Sequence, residues 1–285
     1  MILIRKFTKR IRDEGLIKSI RHSSNYLQFA IKTKLTTLKL KFLKLFKEPP
    51  LVIRHGKYNF NFYDDGDHEE ILYHAHWKKY FNEEYIKIKP YIREGDTVID
   101  IGSNLGLFTL ILSDLIGANG KVYSFEPSTV LFDKLSKNLQ LNNLNNVGAF
   151  KLGIGRKEDE IELYFNPQQG GLSSIVERVS ENCISEQIRI ITLDKFTNDF
   201  TEKISFIKID TEGYEPEVLI GGINLIQKDK PVIYIELGGK YQKSSYSAIN
   251  ILKKHNYKCD AFSIDLTTVP PGTNFIALPL DYKER

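Results

Sequence analysis

Short apolar runs that end in an acid recur along this chain and divide it into alternating strands and helices. Val98, Ile99 and Ile101 form one such run, rich in β-branched residues and closed by a glycine turn. Val122–Phe125, Ile204–Ile209 and Val232–Ile235 repeat the form, and Glu126, Asp210 and Glu236 follow them directly. Runs of this length, apolar on both faces, are the mark of buried parallel strands. Between them lie segments with apolar residues at helical spacing, 107–115, 129–141, 216–227 and 245–255, which predict helices packed on the sheet. The alternation predicts an α/β fold with a doubly wound parallel sheet. Further strands are expected over 147–152, 160–165, 187–192, 257–262 and 274–279, and a short helix over 193–200. Ser128 stands where it can cap the helix 129–141. Asn166–Gly171, rich in Asn, Gln and Gly, reads as a flexible loop.

The first 48 residues have a different pattern. They read as two helical pieces broken near His22–Asn25. In the second piece Leu27, Ile31, Leu35, Leu38, Phe42, Leu45 and Phe46 recur near helical spacing, and lysines fill much of the remainder. A basic amphipathic helix of this kind can lie on an anionic membrane surface. The competing expectation is that its apolar stripe packs on the rest of the protein or on a second copy. Pro49–Pro50 ends this arm. Residues 51–63 alternate and predict a β-hairpin turning at His55–Gly56–Lys57, followed by a turn at Asp64–Asp67 and a helix over Glu69–Tyr80. The organisation read from this is an arm (1–48), a hairpin-and-helix lead-in (49–95) and an α/β domain (96–285).

Charge sharpens that division. Residues 1–48 hold 13 Lys and Arg against 3 Asp and Glu, net +10, whereas the other 237 hold 27 against 33, net −6. A basic arm on an acidic body suggests a local anchor rather than a nucleic-acid-binding protein, so no nucleic acid partner is expected. Two cysteines, Cys183 and Cys259, exclude a disulfide framework and fit a reducing compartment. No run approaches the length of a membrane-spanning helix, and the first residues lack a signal-peptide core, so a cytoplasmic location is expected. His74 and His76, two apart, would point to different faces of a helix, and no metal site is expected from them.

The chemistry concentrates at the strand ends. Asp100-x-Gly102-x-x-x-Gly106 joins a strand to a helix N-terminus, where backbone N–H groups and the positive dipole end can meet a ligand. The glycines would let the ligand approach without a Cβ in the way. The dinucleotide fingerprint needs a glycine where Asn104 stands, so a ligand without a pyrophosphate is expected. Glu126 lies 26 residues beyond Asp100, about where a doubly wound fold places the carboxylate that grips ribose hydroxyls. Ligands of such folds sit outside the carboxyl ends of the strands, so Asp100, Glu126, Asp210 and Glu236 are candidates for one site. Asp210 and Glu212 are the candidate catalytic groups. A carboxylate near an acceptor hydroxyl could take its proton.

Residues 96–240 resemble the FkbM family of methyltransferases. The likeness rests on Val98–Gly106 with Phe108–Thr109, on Phe125–Glu126–Pro127 and Asn138, and on Gly171–Ser174. It continues through Thr192–Phe196 and Ile207–Glu215, the Lys-Ile-Asp-x-Glu-Gly-x-Glu block. The resemblance implies a class I fold with a seven-stranded, mostly parallel sheet and S-adenosylmethionine as methyl donor. It implies O-methylation, often of hydroxyls on sugars or secondary metabolites; together with the basic arm this makes a saccharide or glycolipid the expected acceptor, with a soluble metabolite, RNA, or a non-catalytic adaptor as the alternatives. The donor-binding set would be Asp100, Gly102, Ser103, Asn104, Gly106, Phe108, Thr109, Glu126 and Pro127. Asp210 and Glu212 would face the acceptor, a small-molecule or lipid-linked saccharide. Ser103 stands where alanine is common in the family. The arm lies outside the resemblance.

Overall fold

In a computed structural model, residues 16–43, 51–55, 57–62, 75, 81–166, 169–174, 184–238, 241–270 and 272–283 are described. The helix α1 (Leu16–Leu43) comes first, then the antiparallel hairpin β1 (Leu51–His55) and β2 (Tyr58–Phe62). There follow β3 (Thr97–Ile101), α2 (Leu107–Ile116), β4 (Lys121–Phe125), α3 (Thr129–Leu141) and β5 (Val147–Phe150). The next strands are β6 (Gly153–Ile154), β7 (Asp159–Asn166), β8 (Gln169–Ser174) and β9 (Ile184–Ile191). The chain continues through α4 (Leu193–Phe196), β10 (Ile204–Ile209), α5 (Glu215–Gly221), α6 (Ile223–Asp229) and β11 (Val232–Glu236). It ends with α7 (Gln242–Lys254), β12 (Tyr257–Cys259) and β13 (Asn274–Pro279).

Seven strands form the main sheet in the order β12-β13-β11-β10-β3-β4-β5. The links β11-β10-β3-β4-β5 are all parallel, and β13 runs antiparallel to both its neighbours. This is the mixed, doubly wound sheet of the class I methyltransferase fold, as expected. The chain leaves β3 toward β4 on one side and later returns to pair β10 on the other. The carboxyl ends of β3 and β10 therefore flank the switch in strand order, where such folds bind ligands. Both strands are buried along their full length, which accounts for their mainly apolar character, interrupted by Asp100 in β3 and Lys208 in β10. Phe125, Phe150 and Phe196 pack edge-to-face and stacked beneath this edge, with centroids 4.8–5.3 Å apart.

Several expectations are corrected. The arm carries one continuous helix through His22–Asn25, not two pieces. Ser23, Ser24 and Asn25 are weak helix formers, but without Gly or Pro each costs only a fraction of a kcal/mol. The supposed loop 166–171 contributes to β8, which pairs with β7 in a second sheet of order β6-β9-β7-β8. Helix 216–227 is two helices meeting at Gly222. Gly222 lies where a Cβ would come 2.9 Å from the Leu193 side chain. The strand over 257–262 stops at Cys259 and passes into a short 3-10 turn. Ser128 occupies the N-cap of α3, yet its buried hydroxyl makes no hydrogen bond. Glu126 and Glu186 accept the amides of Ser128 and Thr129 instead. Gly56, Asp64–Asp67, Pro49–Pro50, His74, His76 and Cys183 lie outside the described residues.

Two blocks that carry the family resemblance serve the fold. Thr192 accepts the Lys195 amide at 3.0 Å and caps α4, while the Asp194 carboxylate accepts the Asn224 and Leu225 amides at the start of α6. Asn138 accepts the Asn61 amide at 2.9 Å and donates to the Leu105 carbonyl at 2.9 Å, tying the hairpin to the glycine turn.

Candidate active site

The turn after β3 crosses directly over the end of β10. Gly102 has φ +76°, and a Cβ there would lie 1.8 Å from the Asp210 carbonyl oxygen. The close approach that this glycine allows is therefore chain against chain, not chain against ligand. Gly106, at φ +89°, similarly faces Leu135, 2.7 Å from where its Cβ would be. Asn104 supplies a third left-handed residue at φ 49°, a conformation that asparagine tolerates.

The amides of this turn are mostly committed. Gly102 and Ser103 N–H both donate to the Phe125 carbonyl at 3.0 Å, and Gly106 N–H donates to the Ser103 carbonyl at 2.8 Å. The Asn104 amide donates to Glu126 Oε2 at 2.9 Å. The Gly102 and Ser103 amides are thus already paired within the chain. The positive end of α2 remains, with the first-turn amides of Leu107, Phe108 and Thr109 outside its intrahelical ladder.

Asp100 is fully buried. Its Oδ2 accepts from Thr109 Oγ1 at 2.6 Å, and its Oδ1 has no hydrogen-bond donor. Thr109 Oγ1 also lies 3.1 Å from Ser124 Oγ, which donates to Ser103 Oγ, and that hydroxyl donates to the Asp100 carbonyl. Ser103 and Thr109 thus hold Asp100 from behind. Phe108 packs on Tyr234 with centroids 5.4 Å apart. Glu126 is buried, with Oε1 and Oε2 each accepting one amide and each keeping a lone pair. Burial pushes its carboxyl up to about 7 against the two amide bonds that oppose the shift. Pro127, beside it, ends β4 at the same edge.

Reading the sequence for site residues overlooked Lys208. It is buried at the end of β10, with Nζ 2.6 Å from the Gly102 carbonyl, 3.3 Å from Asp210 Oδ2 and 3.5 Å from Asp100 Oδ1. Burial works against its charge, but Asp210 and Asp100 outweigh it and hold the ammonium above its ordinary range. A lysine inside an otherwise apolar strand was the available signal, because a buried charge requires partners.

Asp210, Glu212 and Glu236 converge beyond Lys208, with carboxylate oxygens within 4.8 Å of one another. Burial acts to raise Asp210, yet Lys208 and a hydrogen bond from Glu236 hold it below the usual carboxylate range. Burial and the Asp210 charge push Glu236 far above that range, so the two carboxyls titrate as a coupled pair. The three oxygens have the donor chemistry for a hard cation. Glu215 does not join them. Its Oε1 accepts from the Thr211 and Gly213 amides, and Ser244 bonds its other oxygen, so it braces the turn that presents Glu212 at φ 52°.

A family model described as the methyltransferase FkbM domain matches residues 100–259, more than half of the chain. The chain belongs to the FkbM methyltransferase domain family. It is 24% identical over 163 residues to Methyltransferase 1 of Beauveria bassiana, covering 50% of this chain and 65% of that protein. It is 29% identical over 154 residues to Methyltransferase sdnD of Sordaria araneosa, covering 44% and 59%. It is 28% identical over 141 residues to the hexuronic acid methyltransferase AglP of Haloferax volcanii, covering 49% and 55%. The matched region spans less than two thirds of each of these relatives.

S-adenosylmethionine is the methyl donor of FkbM domains, and the residues present fit it. Asp100 Oδ1 accepts no hydrogen bond and has only the Lys208 ammonium at 3.5 Å, which leaves it lone pairs for an amine, while the spare lone pairs of Glu126 suit a ribose diol and the α2 N-terminus suits a carboxylate.

Proposed function

We propose that the chain catalyses S-adenosylmethionine-dependent O-methylation of a saccharide hydroxyl. The donor, when bound, supplies a methyl group on a positively charged sulfur. Glu126 is assigned to the ribose hydroxyls, Asp100 to the amino end, and the first turn of α2 to the carboxylate. The acceptor is assigned to the mouth formed by Asp210, Glu212 and Glu236.

The observation that carries this reading is the convergence of Asp210, Glu212 and Glu236 oxygens within 4.8 Å of one another, with Asp210 in backbone contact with the turn at Gly102. As the acceptor oxygen bonds to the methyl carbon and the carbon–sulfur bond breaks, the hydroxyl proton must leave. Asp210 is assigned as the base that takes it, supported by its position at the end of β10, with Glu212 beside it. Alignment and exclusion of water supply the rest of the acceleration. The relative named for hexuronic acid methylation supports a saccharide acceptor.

Calorimetry with S-adenosylhomocysteine, on wild type and Asp100→Ala, tests the donor site. Heat that is lost in the variant is expected; no heat with wild type overturns the enzyme reading. Transfer of labelled methyl to saccharide, small-metabolite and RNA fractions then tests the acceptor. Label confined to the metabolite or RNA fraction overturns the saccharide.

A further inference from the structure

The long helix α1 turns its apolar stripe outward. Leu27, Ile31, Leu35 and Leu38 are 60%, 49%, 60% and 56% exposed. At 3.6 residues per turn they occupy about 80° of the helix surface. The opposite side is the covered one: Phe29, Thr33, Thr36 and Thr37 are partly buried there, and Leu40 is 3% exposed. Among the described residues the stripe is therefore not packed on the rest of the chain, which leaves a second copy or a lipid surface to cover it.

The flanks are basic. Lys34 borders one edge of the stripe and Lys32 and Lys39 the other, all three exposed. From Leu16 to Leu43 the helix carries no acidic residue. Apolar side chains flanked on both edges by lysine suit an interface in which the stripe enters the acyl boundary and the ammonium groups reach lipid phosphates. No helix among the described residues is long and apolar enough to cross a membrane, so the helix would lie in the surface plane. The net −6 of residues 49–285 turns the acidic body away from an anionic surface and the arm toward it.

A second copy fits this stripe poorly. Ile31, Leu35 and Leu38 have coiled-coil spacing, but the seam's flanking positions are then Lys32, Lys34 and Lys39. In a parallel pair Lys34 would face Lys39 of the partner helix, a repulsive contact where paired coils place opposite charges. An RNA backbone would satisfy the lysines but leave four aliphatic side chains uncovered.

We propose that the outward face of α1 docks this protein on an anionic lipid surface. This stands apart from the methylation reading and would bring a lipid-linked saccharide within reach of the site.

Co-sedimentation of the full chain with phosphatidylcholine vesicles, with and without phosphatidylglycerol, tests it. Wild type is expected to bind the anionic vesicles at least about tenfold more tightly, with binding weakened by added salt. The triple change Ile31→Ser, Leu35→Ser, Leu38→Ser is expected to abolish binding. Lys32→Glu, Lys34→Glu, Lys39→Glu is expected to remove the preference for anionic lipid. These side chains are exposed, and unchanged circular dichroism and S-adenosylhomocysteine binding would show that both variants fold. Equal binding to neutral vesicles, no vesicle binding, or a dimer in light scattering that the serine variant dissolves would each overturn the proposal. So would tight binding of RNA without vesicle binding.

Discussion

Lys208 donates from Nζ to the carbonyl oxygen of Gly102 at 2.6 Å, joining the end of one central strand to the turn that leaves the next. The same ammonium lies between Asp100 and Asp210, so one buried cation is shared by the carboxylates at the ends of β3 and β10. The cost of burying it is offset only while all three partners stay in place.

Lys208→Met should therefore lower stability by about 3–5 kcal/mol, the usual penalty for breaking a buried ion pair from one side. Urea unfolding measures it. Adding Asp100→Asn should recover part of the loss, because it removes a buried carboxylate left without its counter-charge. A single change that leaves the midpoint unmoved would remove Lys208 from this role.

Gly102→Ala should cost about 3 kcal/mol or more, since its Cβ would meet the Asp210 carbonyl oxygen at 1.8 Å. Gly95 is the internal comparison. It has φ +85° with nothing within 4 Å of a Cβ, so Gly95→Ala should show only the conformational penalty of about 1–2 kcal/mol. Equal losses in thermal or urea unfolding would contradict the strand-crossing account.

Glu126 should make both stability and donor binding depend on pH. Its carboxyl titrates near 7 in the folded chain and near its ordinary 4.5 when unfolded. Between those values the folded chain binds more protons, so stability falls as pH rises across the window, by about 3 kcal/mol in all, and is level beyond it. Donor affinity should run the other way, tightening through pH 7 as the carboxylate forms. Denaturant unfolding and S-adenosylhomocysteine calorimetry from pH 5 to 8 measure the two trends. Glu126→Gln should lack both.

Asp210→Asn should reduce kcat about a hundredfold or more while leaving donor affinity nearly intact, as loss of a general base does. Glu236→Gln keeps a hydrogen-bond donor for Asp210 and should retain most activity; Glu236→Ala should not. Steady-state kinetics on the acceptor identified by methyl transfer distinguish them. Indifference of kcat to Asp210→Asn would move the proton to Glu212.

The sequence by itself determined the α/β class, most of the strands and the gathering of acids at one sheet edge. These follow from local composition, since buried parallel strands read as apolar runs and their carboxyl ends share an edge. The family blocks Val98–Gly106 and Ile207–Glu215 were legible for the same reason, being continuous in sequence. Only the tertiary structure decided what individual groups do. Gly102 is required by Asp210, more than 100 residues away, and the partners of Lys208 were identified only once β3 and β10 lay side by side. Thr109 and Ser103 support Asp100 from behind, and the turn amides serve Phe125 and Glu126. β8 escaped notice because Gln169–Ser174 has little strand propensity of its own and extends only by pairing with β7. The outward turn of Leu27, Ile31, Leu35 and Leu38 was likewise beyond the pattern. Periodicity shows that a helix has two faces, while burial of the opposite one shows which side is left to meet a partner.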